Sequence, residues 1–142
     1  MTTIKKLSVA AVLAGTLFSS VAMAELAIIG HPGISLRGVT NDELSKVYLG
    51  NSKSLGGVDV NPVDQAEGSG TRGEFYDKVV GKSESQLKRY WSQRVFSGKG
   101  KPPPSLADDQ AVKDWVASTP GGIGYIDGGA VDGSVKVLSI IP

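Results

Sequence analysis

The residues best equipped for chemistry in this chain lie together in the stretch Asp64-Gln65-Ala66-Glu67-Gly68-Ser69-Gly70-Thr71-Arg72. Gly68 and Gly70 let the backbone turn tightly and approach a ligand with no Cβ in the way. Phe75, Tyr76, Val79 and Val80 follow at helical spacing up to Gly81, which predicts a helix opening at the glycines. The first N–H groups of such a helix have no intrahelical acceptor, and its dipole places partial positive charge beside them. With the hydroxyls of Ser69 and Thr71, that corner would cradle a tetrahedral oxyanion without a metal. Arg72 would add a planar, two-pronged donor. An N-cap at Ser69 or Thr71 and a turn at Gly68 and Gly70 describe the same residues equally well. The local pattern leaves both readings open.

Other arrangements carry less. No Gly-x-x-x-x-Gly-Lys-Ser/Thr loop occurs, and Glu67 stands where a Gly-x-Ser-x-Gly elbow needs its first glycine. The carboxylates Asp64 and Glu67 read as a solvated loop, because no second polar cluster completes an acid–base site. His31, beside Pro32-Gly33, reads as a turn residue. Lys99 and Lys101 read as a solvated basic loop. Trp91 and Trp115 fall on the apolar faces of helices and are expected in the core, while Tyr125 fits either core or pocket rim. The chain has no cysteine and one histidine, which excludes disulfide frameworks, thiolate sites and two-histidine metal motifs. No catalytic residue, metal site or cofactor is expected.

These residues must be positioned by a chain of 142 residues, 40% hydrophobic and 20% charged, which is the size of one domain. Fifteen basic residues nearly cancel 14 acidic ones, so nucleic acid is not an expected partner. Residues 1–24 have the form of a secretory signal peptide. Lys5 and Lys6 precede the apolar run Leu7–Phe18, and Ala22-Met23-Ala24 offers a small-x-small cleavage site. Cleavage there would leave one exported, periplasmic domain over 25–142, with 13 basic and 14 acidic residues. Any anion site in it must be built locally.

Within that domain, Glu25–Gly30 predicts a buried strand, and Thr40 with Glu43 a capped helix ending at Gly50. Val58–Val63 alternates like a short strand. Ser83 with Gln86 opens a helix with Leu87, Trp91 and Val95 on one face. Asp108 or Asp109 caps a helix stopped by Pro120-Gly121-Gly122. Ile123–Ile126 and Val135–Ile140 predict the last strands. Strands alternating with helices imply an α/β layer with a mostly parallel sheet flanked by helices.

Glu67-Gly68-Ser69-Gly70-Thr71 resembles the acidic-Gly-Ser-Gly-Thr signature of PstS-like periplasmic phosphate-binding proteins, the receptors of ABC phosphate importers. Lys46-Val47-Tyr48-Leu49-Gly50, Gly98-Lys99-Gly100 and Pro120-Gly121-Gly122-Ile123-Gly124-Tyr125 are similar to the same family in the same order. The resemblance spans about Leu26 to Gly128. It implies a single lobe of a type II periplasmic-binding-protein fold that binds phosphate or a similar oxyanion through Gly68, Ser69, Gly70, Thr71 and Arg72. It further implies an inner-membrane ABC permease or another envelope protein as partner. The chain is similar only to the lobe that bears the Gly-Ser-Gly-Thr helix, and it carries Gln65 where the family has an anion-pairing arginine. One wall of a cleft implies micromolar or weaker binding, which a homodimer would strengthen by supplying a second wall. The competing reading is a binding-inert accessory or protein-interaction module of the cell envelope derived from the same fold.

Overall fold

Strand β1 (Leu26–Gly30) is the centre of the molecule, and all five of its residues are buried. In the computed structural model, which describes residues 25–142, its alternating side chains enter two separate cores. Leu26 and Ile28 face a large cluster with Leu44, Phe75 and Leu87, while Ala27 and Ile29 face a smaller one with Val112 and Val116. An apolar run without polar alternation is what a strand covered on both faces requires. The segment 1–24, expected to be a signal peptide, lies outside the described residues.

The main sheet has the order β4-β7-β1-β8, with β4 Asn61–Pro62, β7 Gly122–Asp127 and β8 Lys136–Ile141. The expected α/β layering is present, but the mostly parallel sheet is not. β1 runs antiparallel to both neighbours, pairing Leu26 with Asp127 and with Ile141, and only β4 and β7 pair in parallel within this sheet. Alternation forces parallel pairing only where one helix links adjacent strands. Here the neighbours of β1 come from the far end of the chain, so no crossover fixes its direction.

Helix α1 (Asn41–Tyr48) is capped as expected, Thr40 Oγ1 accepting from the Glu43 N–H at 3.2 Å, and it buries Leu44, Val47 and Tyr48. A hairpin of β2 (Ser54–Leu55) and β3 (Val58–Asp59) follows, turning through Gly56 and Gly57, both at positive φ. The strand expected over Val58–Val63 is thus broken into β3, β4 and then β5 (Asp64–Gln65), which pairs in parallel with β6 (Ser105–Leu106). Helix α2 (Gly70–Phe75) widens into a π-turn over Tyr76–Val80 and stops at Gly81, where φ is 73°. Helix α3 (Glu84–Phe96) opens on a complete capping box between Ser83 and Gln86. It buries Leu87 and Trp91 but leaves Val95 54% and Phe96 94% exposed. Of the three residues read on one face of this helix, Leu87 and Trp91 are buried and Val95, in the last turn, is not. Asp108 caps α4 (Asp109–Ser118) by accepting from the Ala111 N–H at 2.9 Å. Among the described residues no helix is long and apolar enough to cross a membrane.

Candidate functional site

Two residues of β5 support the glycine corner from below. Asp64 is 2% exposed and Gln65 1% exposed, so the solvated loop expected at Asp64 is in fact the floor of a polar network. The hydroxyls of Tyr76 and Tyr125 each donate to a different oxygen of Asp64, and Arg72 Nη1 lies 3.3 Å from its Oδ2. Burial pushes the Asp64 carboxyl up from its usual range, while the hydrogen bonds from Tyr125 and Tyr76 and the charge of Arg72 oppose that shift. A residue next to an alternating Val-x-x-Val run could have been read as facing inward. What the local pattern lacks is the pair of tyrosines 12 and 61 positions away.

Gln65 transmits this floor to the corner. Its side-chain amide donates to the Tyr125 carbonyl at 3.0 Å and to Asp109 at 2.6 Å, which leaves its oxygen to accept from the Ser69 hydroxyl at 2.8 Å. Ser69 is the N-cap of α2, and its Oγ also accepts from the Arg72 N–H at 3.3 Å. The Ser69 N–H donates to the Ala66 carbonyl at 3.1 Å and the Gly73 N–H to the Ser69 carbonyl at 3.1 Å. Gly70 and Thr71 are left as the first helical residues, whose N–H groups have no intrahelical acceptor by geometry. Gly68 holds φ at 90°, and a Cβ at Gly68, Gly70 or Gly73 would meet nothing within 4 Å. The corner is therefore open along one side, with Thr71 half-buried on its rim.

Arg72 does not turn into that opening. Its guanidinium bonds Glu84 through Nε at 2.6 Å, the Gln65 carbonyl through Nη1 at 2.9 Å, and it lies 5.1 Å from the centre of the Tyr76 ring. Burial acts against its charge, but Glu84 and Asp64 hold its pKa above the ordinary arginine value, so it stays a fixed cation. Glu67 pairs instead with Lys88 at 2.6 Å. Asp64, Glu67 and Glu84 thus face Arg72 and Lys88, and the corner has no surplus of positive charge.

Of the residues set aside in the sequence, His31 accepts from the Gly33 N–H through Nδ1 at 3.0 Å and shapes its own turn. Tyr125 is core, fully buried and stacked on Phe75 with ring centres 4.0 Å apart. Trp91 is buried, whereas Trp115 is only half-buried. Lys99 and Lys101 border a cleft with both tryptophans, a gathering the sequence did not disclose. Among the described residues no group of His, Cys, Asp and Glu is gathered as a metal centre would need.

Three comparisons bear on this geometry. The phosphate-binding protein PstS of Bacillus subtilis is 30% identical over 128 residues, a match covering 84% of this chain and 37% of that protein. A putative phosphate ABC transporter substrate-binding protein of Clostridium perfringens, solved with bound phosphate, superposes with a TM-score of 0.62 at 22% identity. An ABC-type phosphate transport receptor of Vibrio cholerae superposes at 0.63 with 21% identity. Each structural match covers 82% of this chain, and 45% and 46% of the respective neighbours. No family model matches the chain. The chain spans less than half the length of the relatives it matches, and the fold is that of part of a PstS-like substrate-binding protein.

Proposed function

We propose that this chain, a PstS-like lobe in fold, binds phosphate or a closely similar oxyanion at the corner formed by Gly68, Ser69, Gly70 and Thr71. The observation that carries the reading is the convergence there of two unpartnered amides, a serine fixed by Gln65 and an open side flanked by glycines. Relatives named as phosphate-binding proteins support the choice of anion. Arg72 acts in this reading by fixing the Gln65 carbonyl and neutralising Asp64 beneath the corner, so that no uncompensated carboxylate repels the anion. Because acids and bases balance around the corner, binding comes from oriented dipoles and short hydrogen bonds. Its affinity should therefore change little with ionic strength.

In its setting, the module is exported by the segment 1–24, resides in the periplasm as the domain 25–142, and delivers its anion to an ABC permease. Its chemistry is binding and not catalysis, since no nucleophile lies beside a base in the corner. Calorimetric titration with phosphate and with sulfate tests the reading. Saturable heat with phosphate, micromolar or weaker, is expected. Thr71→Ala should weaken it about tenfold through one lost donor. Gly70→Val should abolish it by filling the open side. No heat at millimolar phosphate, or equal binding by both folded variants, would overturn the assignment.

A further inference from the structure

A second cleft, of about 590 Å³, lies between the end of α1, helix α3, strand β4, Trp115 in the second half of α4 and the Lys99–Pro104 loop. Lys53, Arg94, Lys99 and Lys101 line it, and no aspartate or glutamate does. The other buried or surface cations that meet carboxylates do so elsewhere: Lys46 with Asp42, Arg72 with Asp64 and Glu84, Lys88 with Glu67, Lys113 with Asp132. Among the described residues, none of the four cleft cations has a carboxylate within ion-pair distance. Four of the 13 basic residues of the segment 25–142, which is net negative by one, are thus collected at one concavity with no internal counter-charge. Positive charge focused by low-dielectric walls attracts anions far more than the same charge spread over a surface.

The walls are as distinctive as the charge. The only two tryptophans of the protein, Trp91 and Trp115, both border the cleft. Arg94 is held in place, its guanidinium 5.9 Å from the Trp91 ring and 5.4 Å from the Tyr90 ring. Its hydrogen bonds to Asn51 and Gly50 are long, at 3.3 and 3.4 Å, and its Nε is buried without a partner. It is positioned but weakly satisfied. The volume falls within the range of small-molecule sites, about 300–1,000 Å³. We propose that this cleft binds a small organic anion with several negative charges and a flat ring, the charges met by the four cations and the ring by the half-buried Trp115. This site is separate from the glycine corner of α2 and does not depend on it.

Because both tryptophans border the cleft, their fluorescence reports occupancy directly. The full chain would be titrated with adenosine triphosphate as a multiply charged, flat probe, and with tripolyphosphate and adenosine as its charge-only and ring-only counterparts. A saturable change with adenosine triphosphate is expected, tighter than with either counterpart and weakened by salt. The double variant Lys99→Glu, Lys101→Glu should lower that affinity at least about tenfold, since it reverses two exposed charges. It should retain the wild-type circular dichroism spectrum and its response to phosphate by calorimetry, while Gly70→Val should leave the fluorescence response intact. No saturable change at millimolar probe would overturn the proposal. So would equal binding of tripolyphosphate or adenosine, or undiminished binding by the folded double variant.

Discussion

At the scale of single residues, Asp64 has the largest consequences. Burial raises its carboxyl pKa in the folded chain despite donors from Tyr125, Tyr76 and Arg72. An acid whose folded value lies above its unfolded one binds more protons in the native state. Its contribution is therefore fully favourable below the ordinary carboxylate range and is lost as pH rises through the window above it. Urea unfolding across the mildly acidic range should show wild-type stability declining with rising pH, and Asp64→Asn should flatten that decline. Superimposable profiles would sink the assignment. Ser69 tests a different link, since its hydroxyl both caps α2 and bonds Gln65. Ser69→Ala should cost about 1 kcal/mol of stability by urea denaturation, in the range of a lost N-cap. A loss of phosphate binding larger than that would separate ligand contact from capping.

At the scale of elements, α4 packs tightly on β7 at Gly124. A Cβ at Gly124 would stand 2.7 Å from Val112 Cγ1, 3.2 Å from Val63 Cγ1 and 3.3 Å from Val116 Cγ2. Gly124→Ala should therefore push α4 off the sheet and destabilise the protein by about 1–3 kcal/mol, as overpacking does. The end of α3 behaves oppositely. Phe96 is 94% exposed, and Phe96→Ser should leave the stability measured by urea unfolding within about 0.5 kcal/mol of wild type. Phe75, fully buried and stacked on Tyr125, should lose about 3–5 kcal/mol on truncation to alanine. The two phenylalanines have one composition and two fates, decided by which way a helical turn faces.

For the molecule as a whole, β1 sits between β7 and β8 and between two apolar clusters, so it cannot open without unfolding both cores. Amide exchange should be slowest at Ile28, Ile29 and Tyr125 and fastest in the Gly98–Lys101 loop, since local opening follows buried contact. Both proposed sites lie where elements end: the glycine corner at the start of α2, the basic cleft beside the loop after α3. Strand β5 floors the corner and β4 borders the cleft, while the ends of helices present their polar groups. Uniform exchange across strand and loop would contradict this division.

Local chemistry was legible in the sequence where the bonds themselves are local. Thr40 with Glu43 and Ser83 with Gln86 are three residues apart, and residue types and spacing placed both caps; at the other two helices they left a pair of candidates each, from which the fold takes Asp108 over Asp109 and Ser69 over Thr71. The unbroken apolar run Leu26–Gly30 likewise determined that its strand would be covered on both faces. Tertiary structure alone decided the direction of that strand, because its partners arrive about a hundred residues later and either pairing sense buries the same side chains. It decided the floor of the glycine corner too, where Gln65 meets Asp109 across 44 positions and Asp64 meets Tyr125 across 61. It also brought Lys53 to the same cleft as Lys99 and Lys101 and both tryptophans. Charges and rings far apart in the chain become one surface only when the packing of α1, α3 and α4 against the sheet sets their distances, and no periodicity in the sequence encodes those distances.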